Sequence, residues 1–319
     1  MPKLIPPPSG IPLFVPDLDY NYFENHDAHP LQPEAPGFAL VNAWWMAEMA
    51  LLAYADHDFV KQELTKTSFS MEGDKPFSGK STQCYVIQND RLVILAFRGT
   101  EFRQPDELPK RWHDVASDWL ADADFSLVEF DGGDGDVHQG FHKALNEVWT
   151  PLSATLQALR QAQPERPIWF TGHSLGGALA QLAAARFGRA RAVYTFGSPQ
   201  VGDHKFATQY RPTHYRVVNN NDGVAGTQLF GFYRVLPGFY EHTGELIYLD
   251  RNGLLQTDAG TLERLADGLL GNAEQLLEAA LQFAGTRKLA LPLDQLNDHI
   301  PTYYALHLWN NYETAMKQG

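Results

Sequence analysis

A chain of 319 residues with 44% hydrophobic side chains is long enough to enclose one large core, which predicts a single catalytic-sized domain. Its net charge of −13 at pH 7, with no local run of Lys or Arg to offset it, repels phosphate backbones and anionic headgroups and argues against nucleic acid as a partner. The single cysteine, Cys84, sits in an apolar run and reads as a core thiol, so no internal disulfide can form.

The opening carries Pro2, Pro6, Pro7, Pro8, Pro12 and Pro16, which supply no backbone donor and disfavour helix before them. Residues 1–37 therefore read as an irregular arm, and Phe14, Tyr20, Tyr22 and Phe23 predict that it packs on the body. Such an opening lacks the continuous apolar stretch of a Sec signal, and with no disulfide the expected location is the cytoplasm, or export by a route without that signal. No run reaches about 18 uninterrupted apolar residues. Even the richest, 43–55, is broken by Glu48, so no transmembrane segment is expected.

From 38 onward we expect one catalytic domain. Leu40, Val41, Trp44, Met46, Ala47, Leu51 and Tyr54 recur at helical spacing and predict a core helix over 38–55. Strand-like runs at 83–88 and 92–97 flank Asn89-Asp90, a pair that tolerates the left-handed backbone of a tight hairpin. Gly132-Gly133-Asp134-Gly135-Asp136 reads as a glycine-rich turn, since a calcium-binding nonapeptide would need an acid where Val137 stands. Further strands are expected at 168–171, 192–196, 214–218 and 246–249, with helices over 141–161 and 175–187. That alternation predicts an α/β fold, a mostly parallel central sheet flanked by helices. Leu262, Leu265, Leu269, Leu276, Leu277, Leu281 and Phe283 oppose Glu263, Asp267, Glu274 and Glu278, so 258–291 reads as an amphipathic helical insertion, a cap or a dimer contact.

The chemistry concentrates at Gly172-His173-Ser174-Leu175-Gly176, because an apolar strand runs directly into it and a small-residue helix leaves it. A strand-turn-helix joint this sharp strains its central residue, needs flanking glycines, and presents Ser174 as a nucleophile at the end of the sheet. A chance Gly-x-Ser-x-Gly would lack that context. A serine needs a base to take its proton and an acid to orient the base, and on a sheet of this kind both follow the nucleophile in the chain. Asp222 ends the strand-loop Val217-Val218-Asn219-Asn220-Asn221 and is the chosen acid. Asp250 is the rival, while Asp203 reads as a helix cap. Of twelve histidines, His204, His214, His242, His299 and His307 follow Ser174. His299 stands in a polar turn near the end of the chain and is the chosen base; His307 lies in the helical run after it and reads as structural.

Phe97-Arg98-Gly99-Thr100, Asp118-Trp119-Leu120-Ala121-Asp122, Val137-His138-Gln139-Gly140-Phe141, Gly172 to Gly177, Phe196 to Gly202, Asn221-Asp222-Gly223-Val224, and Asp298-His299 with Tyr303-Tyr304 follow one another in the chain. In that order they resemble the class 3 lipases, the fungal-type triacylglycerol lipase family of the α/β-hydrolase fold. The resemblance implies a Ser174, Asp222 and His299 triad working through an acyl-enzyme, without cofactor or metal, on a lipid or other ester at an oil-water interface. It adds Thr100 and the backbone N–H of Leu175 as oxyanion donors. Phospholipase A1, feruloyl-type esterase and acyltransferase chemistry use the same triad, and a catalytically silent binding protein is the non-enzyme alternative. Departures are a long polar segment over 101–117 where the family carries a short helical lid, and Val224-Ala225-Gly226 where a proline usually follows. Val224, Leu229, Phe230, Phe232 and Ile300 would suit an acyl chain or a core equally.

Overall fold

The computed structural model describes residues 1–6, 18–99, 126–225, 240–257 and 297–318. Thr100, the 101–117 segment, Leu229, Phe230 and Phe232, and the 258–291 insertion lie outside them.

The described strands are β1 (Ser70–Met71), β2 (Phe77–Ser78), β3 (Gln83–Asn89), β4 (Leu92–Phe97), β5 (Leu127–Glu129), β6 (Asp136–His138), β7 (Ile168–His173), β8 (Ala192–Phe196), β9 (His214–Asn219), β10 (Glu245–Leu249) and β11 (Leu255–Gln256). The main sheet runs β1-β3-β4-β7-β8-β9-β10-β11, with β2 also pairing β3. From β4 to β10 every neighbouring pair is parallel, and antiparallel pairs close both edges. The helices are α1 (Leu40–Leu52), α2 (His57–Leu64), α3 (Gln139–Ala162), α4 (Leu175–Phe187), α5 (His204–Gln209) and α6 (Pro301–Gln318).

Helices cover both faces of this sheet, which is why β4 reads Leu-Val-Ile-Leu-Ala-Phe with every residue buried. Leu92, Ile94 and Ala96 face α1 and α6 with Trp44 and Trp309, while Val93, Leu95 and Phe97 face α3 and α4 with Leu152 and Leu179. The period-2 alternation of the strand thus divides the core into two layers. Packed between sheet and α6, α1 is buried on nearly every side and is apolar all round rather than amphipathic.

Glu48 is the one charged residue of α1. Its carboxylate is wholly buried and accepts bonds from Trp44 Nε1 at 2.9 Å, Tyr20 Oη at 2.7 Å and the Phe23 amide at 3.3 Å. Two of these donors belong to the segment before α1, where Tyr22 and Phe23 are also buried. A buried carboxylate needs such partners, so Glu48 both interrupts the apolar run and fastens that segment to the helix. Nearer the start, the Lys3 backbone N–H donates to the Asn310 side-chain oxygen and its carbonyl accepts from the Asn310 side-chain amide, and Pro6 accepts from the Tyr303 hydroxyl.

The hairpin at Asn89 is an Asx turn, its side-chain oxygen accepting from the amides of Arg91 and Leu92 at 2.9 and 3.0 Å. The glycine-rich loop joins β5 to β6 through Gly135 at φ +93°. His138 caps α3, its Nδ1 accepting from the Gly140 and Phe141 amides. Among the described residues no helix is long and apolar enough to cross a membrane.

Candidate active site

The carboxyl ends of β4, β7, β8 and β9 lie at one edge because of the parallel register: Phe97 pairs with Gly172, His173 with Phe196, and Phe196 with Val217. Loops leaving that edge carry the chemistry of open sheets of this kind.

Ser174 joins β7 to α4 with φ +58° and ψ −128°. A side chain held at positive φ costs about 1–3 kcal/mol, which the packing around the joint must over-determine. A Cβ on Gly176 would run into the Phe97 carbonyl, so only glycine lets α4 leave the sheet this closely. Ser174 is 6% exposed at the head of α4, where Leu175 begins the helix. The first N–H groups of a helix have no intrahelical acceptor and carry its positive end, a suitable environment for a developing oxyanion.

Asp222 follows β9 through a tight turn in which its amide donates to the Asn219 carbonyl at 2.9 Å. Its Oδ1 accepts from the Val224 and Ala225 amides at 2.9 and 3.0 Å, and Oδ2 accepts from the Tyr304 hydroxyl. Nδ1 of His299 lies 2.8 Å from both carboxylate oxygens, and both side chains are wholly buried. A carboxylate that accepts from every side makes Nδ1 the donor, which places the ring's lone pair on Nε2.

The loops that carry these two residues are bonded to each other. Asp298 accepts from the Asn220 side chain at 2.8 Å and the Asn221 amide at 3.2 Å, and its carbonyl accepts from the Asn219 side chain at 2.9 Å. Tyr304, one turn into α6, accepts from the Asn219 amide at 3.2 Å while it donates to Asp222. Burial and the adjacent carboxylate push the Tyr304 phenol well above its ordinary range, so it remains a donor.

The rival residues are occupied elsewhere. Asp250 closes the β10–β11 hairpin, its oxygens accepting from the Asn252 and Leu254 amides and the Gln256 side chain. Asp203 caps α5 through the Phe206 amide at 2.7 Å. His204 pairs with Glu241 at 2.9 Å, and His214 lies buried between Thr195 and Thr243. His307 packs on Gly253, and burial lowers its pKa to about 4. In the sequence Tyr304 stands out only as part of the Tyr303-Tyr304 pair after His299, without a role; its position one turn into a helix that starts beside the candidate base is the signal that points to it.

The chain matches the class 3 lipase family over residues 94–231. It is 36% identical over 138 residues to a secreted mono- and diacylglycerol lipase of Fusarium solani, covering 40% of this chain and 41% of that protein. A lipase of Rhizomucor miehei is 33% identical over 185 residues, covering 54% and 46%. The chain thus spans under half the length of these two relatives. Among solved structures, the Rhizomucor miehei triacylglyceride lipase superposes with a TM-score of 0.51 at 24% identity, covering 66% of this chain and 79% of that one. Lipase II of Rhizopus niveus gives 0.52 at 22%, covering 66% and 80%. At these identities the superpositions speak for the fold, which is that of the α/β-hydrolases.

These relatives correct one expectation. The proline-rich opening and the lack of a disulfide point to a cytoplasmic location, or to export without a Sec signal. The Fusarium solani relative, 36% identical over 138 residues, is named as secreted, which overturns that expectation.

From within β4 through the elbow to beyond Asp222, residues 94–231 are similar to the class 3 lipases.

Proposed function

We propose that the chain is a carboxylic ester hydrolase, specifically a triacylglycerol lipase, with Ser174 as nucleophile, His299 as base and Asp222 as the orienting acid. The observation that carries the proposal is the buried His299–Asp222 contact at 2.8 Å, beside an elbow serine at positive φ. His299 takes the Ser174 proton through Nε2, the alkoxide attacks the ester carbonyl, and the protonated imidazole passes its proton to the leaving alcohol. Water then releases the acyl group by the same steps in reverse order. Leu175, through its backbone N–H, and Thr100 stabilise the oxyanion. Residues from 38 onward act as one catalytic domain, and the substrate is a lipid ester met at an oil-water interface.

The test is hydrolysis of a triglyceride as monomer and as emulsion, with a nitrophenyl ester series and Ser174→Ala as control. Turnover of emulsified triglyceride that disappears in folded Ser174→Ala is expected. A folded Ser174→Ala protein with full activity overturns the mechanism, and a preference for acetyl or aromatic acids overturns the lipase assignment.

A further inference from the structure

His173 precedes the elbow serine and is buried, 1% exposed. Its Nε2 lies 2.8 Å from the backbone carbonyl of His299, and its Nδ1 lies 2.8 Å from the Tyr54 hydroxyl. A carbonyl only accepts, so Nε2–H is the donor there; the neutral ring then accepts at Nδ1, and the Tyr54 O–H donates. Burial first, and His299 second, push the His173 pKa well below its ordinary range, which keeps the ring neutral. The His173 and His299 rings stand 4.4 Å apart between centroids. The Tyr54 hydroxyl also fills the space where a Cβ of Gly99 would stand, so the same side chain touches the segment that leaves β4.

These contacts join three chain segments that are distant in sequence: the end of α1, the elbow, and the loop of His299. The Cα atoms of His173 and Ser174 are about 3.8 Å apart as chain neighbours, so the bond from His173 to the carbonyl of His299 ties the loop of His299 to the residue next to Ser174. It does so without using any atom of the reacting groups.

We propose that Tyr54 and His173 are a positioning pair that sets the separation of Ser174 and His299, an inference that rests on the triad reading above. The pair carries no proton in the reaction. It also suits the moment at which His299 becomes an imidazolium, because a charged ring at the same distance would oppose that charge.

His173→Leu, His173→Gln and Tyr54→Phe are compared with Ser174→Ala and His299→Ala on a soluble nitrophenyl butyrate, with folding checked by near-ultraviolet dichroism. His173→Leu is expected to lower kcat about 10²-fold with KM changed less than about twofold, the signature of a misplaced reacting group. His173→Gln, whose amide N–H reaches toward the place of Nε2–H, recovers about tenfold of that loss, and Tyr54→Phe falls between wild type and His173→Leu. The proton resonance of His299 Nδ1–H broadens in His173→Leu and persists in His173→Gln, which a general loss of stability would not produce. Folded His173→Leu with kcat within about twofold of wild type overturns the proposal, as does His173→Gln no better than His173→Leu. Where His173→Leu does not fold, His173→Gln and Tyr54→Phe decide on the same readouts, wild-type kcat in both overturning it. Activity in Ser174→Ala or His299→Ala overturns the triad and the pair together. Inactive Ser174→Ala and His299→Ala beside fully active His173 and Tyr54 variants overturn the positioning role alone.

Discussion

Gly197, at φ +57°, lies directly against Asp222: a Cβ built on it would stand 2.6 Å from the carboxylate Oδ2 and 2.7 Å from Nδ1 of His299. The candidate acid and the candidate base therefore meet over a residue that must have no side chain. Gly197→Ala combines a strained φ with a contact that neither rigid partner can relieve. It should lower kcat on a soluble ester by about 10²-fold or more while the sheet stays folded. Wild-type kcat in a variant with unchanged far-ultraviolet dichroism would contradict this geometry.

The two carboxylates that end neighbouring strands should separate cleanly. Asp222→Asn leaves the ring of His299 facing an amide that can donate where a carboxylate could only accept, which disfavours the tautomer the base needs. A loss of about 10⁴-fold in kcat is expected by analogy with the same change in a serine protease triad. Asp250→Asn disturbs only the β10–β11 turn and should leave kcat within about twofold, as surface changes away from a site usually do. Steady-state kinetics on both variants decides the matter, and a silent Asp222→Asn would end the assignment.

Tyr304 donates to a carboxylate that is fully buried, so its hydroxyl belongs to stability as well as to orientation. Hydrogen bonds to charged groups contribute about 1.5–3 kcal/mol, and Tyr304→Phe should lower the unfolding free energy in urea by that order. Catalysis should fall less than in Asp222→Asn, since the amides of Val224 and Ala225 still hold the other oxygen. A variant as stable as wild type would mean that the bond is replaced in solution.

The parts of the site that were legible in the sequence are those written in consecutive residues. The elbow is a strand, a glycine-flanked serine and a small-residue helix in unbroken order, and Asp222 follows its strand by a short polar turn. His299 could be chosen only by elimination and by its place in a polar turn, because what brings it to Asp222 is a long return of the chain. The contacts of Tyr54 with His173 and of His173 with His299 span 119 and 126 positions, and no local pattern encodes a pairing at that range. Strands of two or three residues, such as Ser70–Met71 and Leu127–Glu129, escaped because alternation needs more residues than they have. Glu48 read as a break in an apolar run, and only the fold shows that Tyr20, Phe23 and Trp44 converge on it.

His214 makes stability depend on acidity. It is buried between Thr195 at 2.8 Å and Thr243 at 2.9 Å, and Thr243 passes the network on to Gln181. Burial, reinforced by the positive charge of Arg216, lowers its pKa from 6.5 to about 3. Below about pH 6.5 the unfolded chain takes up a proton that the folded ring refuses, so stability is full above that pH and is lost as the pH falls toward 3. For this histidine alone the slope approaches about 1.4 kcal/mol per pH unit. His214→Gln should be less stable than wild type at pH 7, since two buried hydroxyls lose their partner geometry, yet its stability should fall less steeply between pH 6 and pH 4. Urea unfolding at several pH values measures both slopes. Parallel curves for the two proteins would show that His214 is not the buried neutral group responsible.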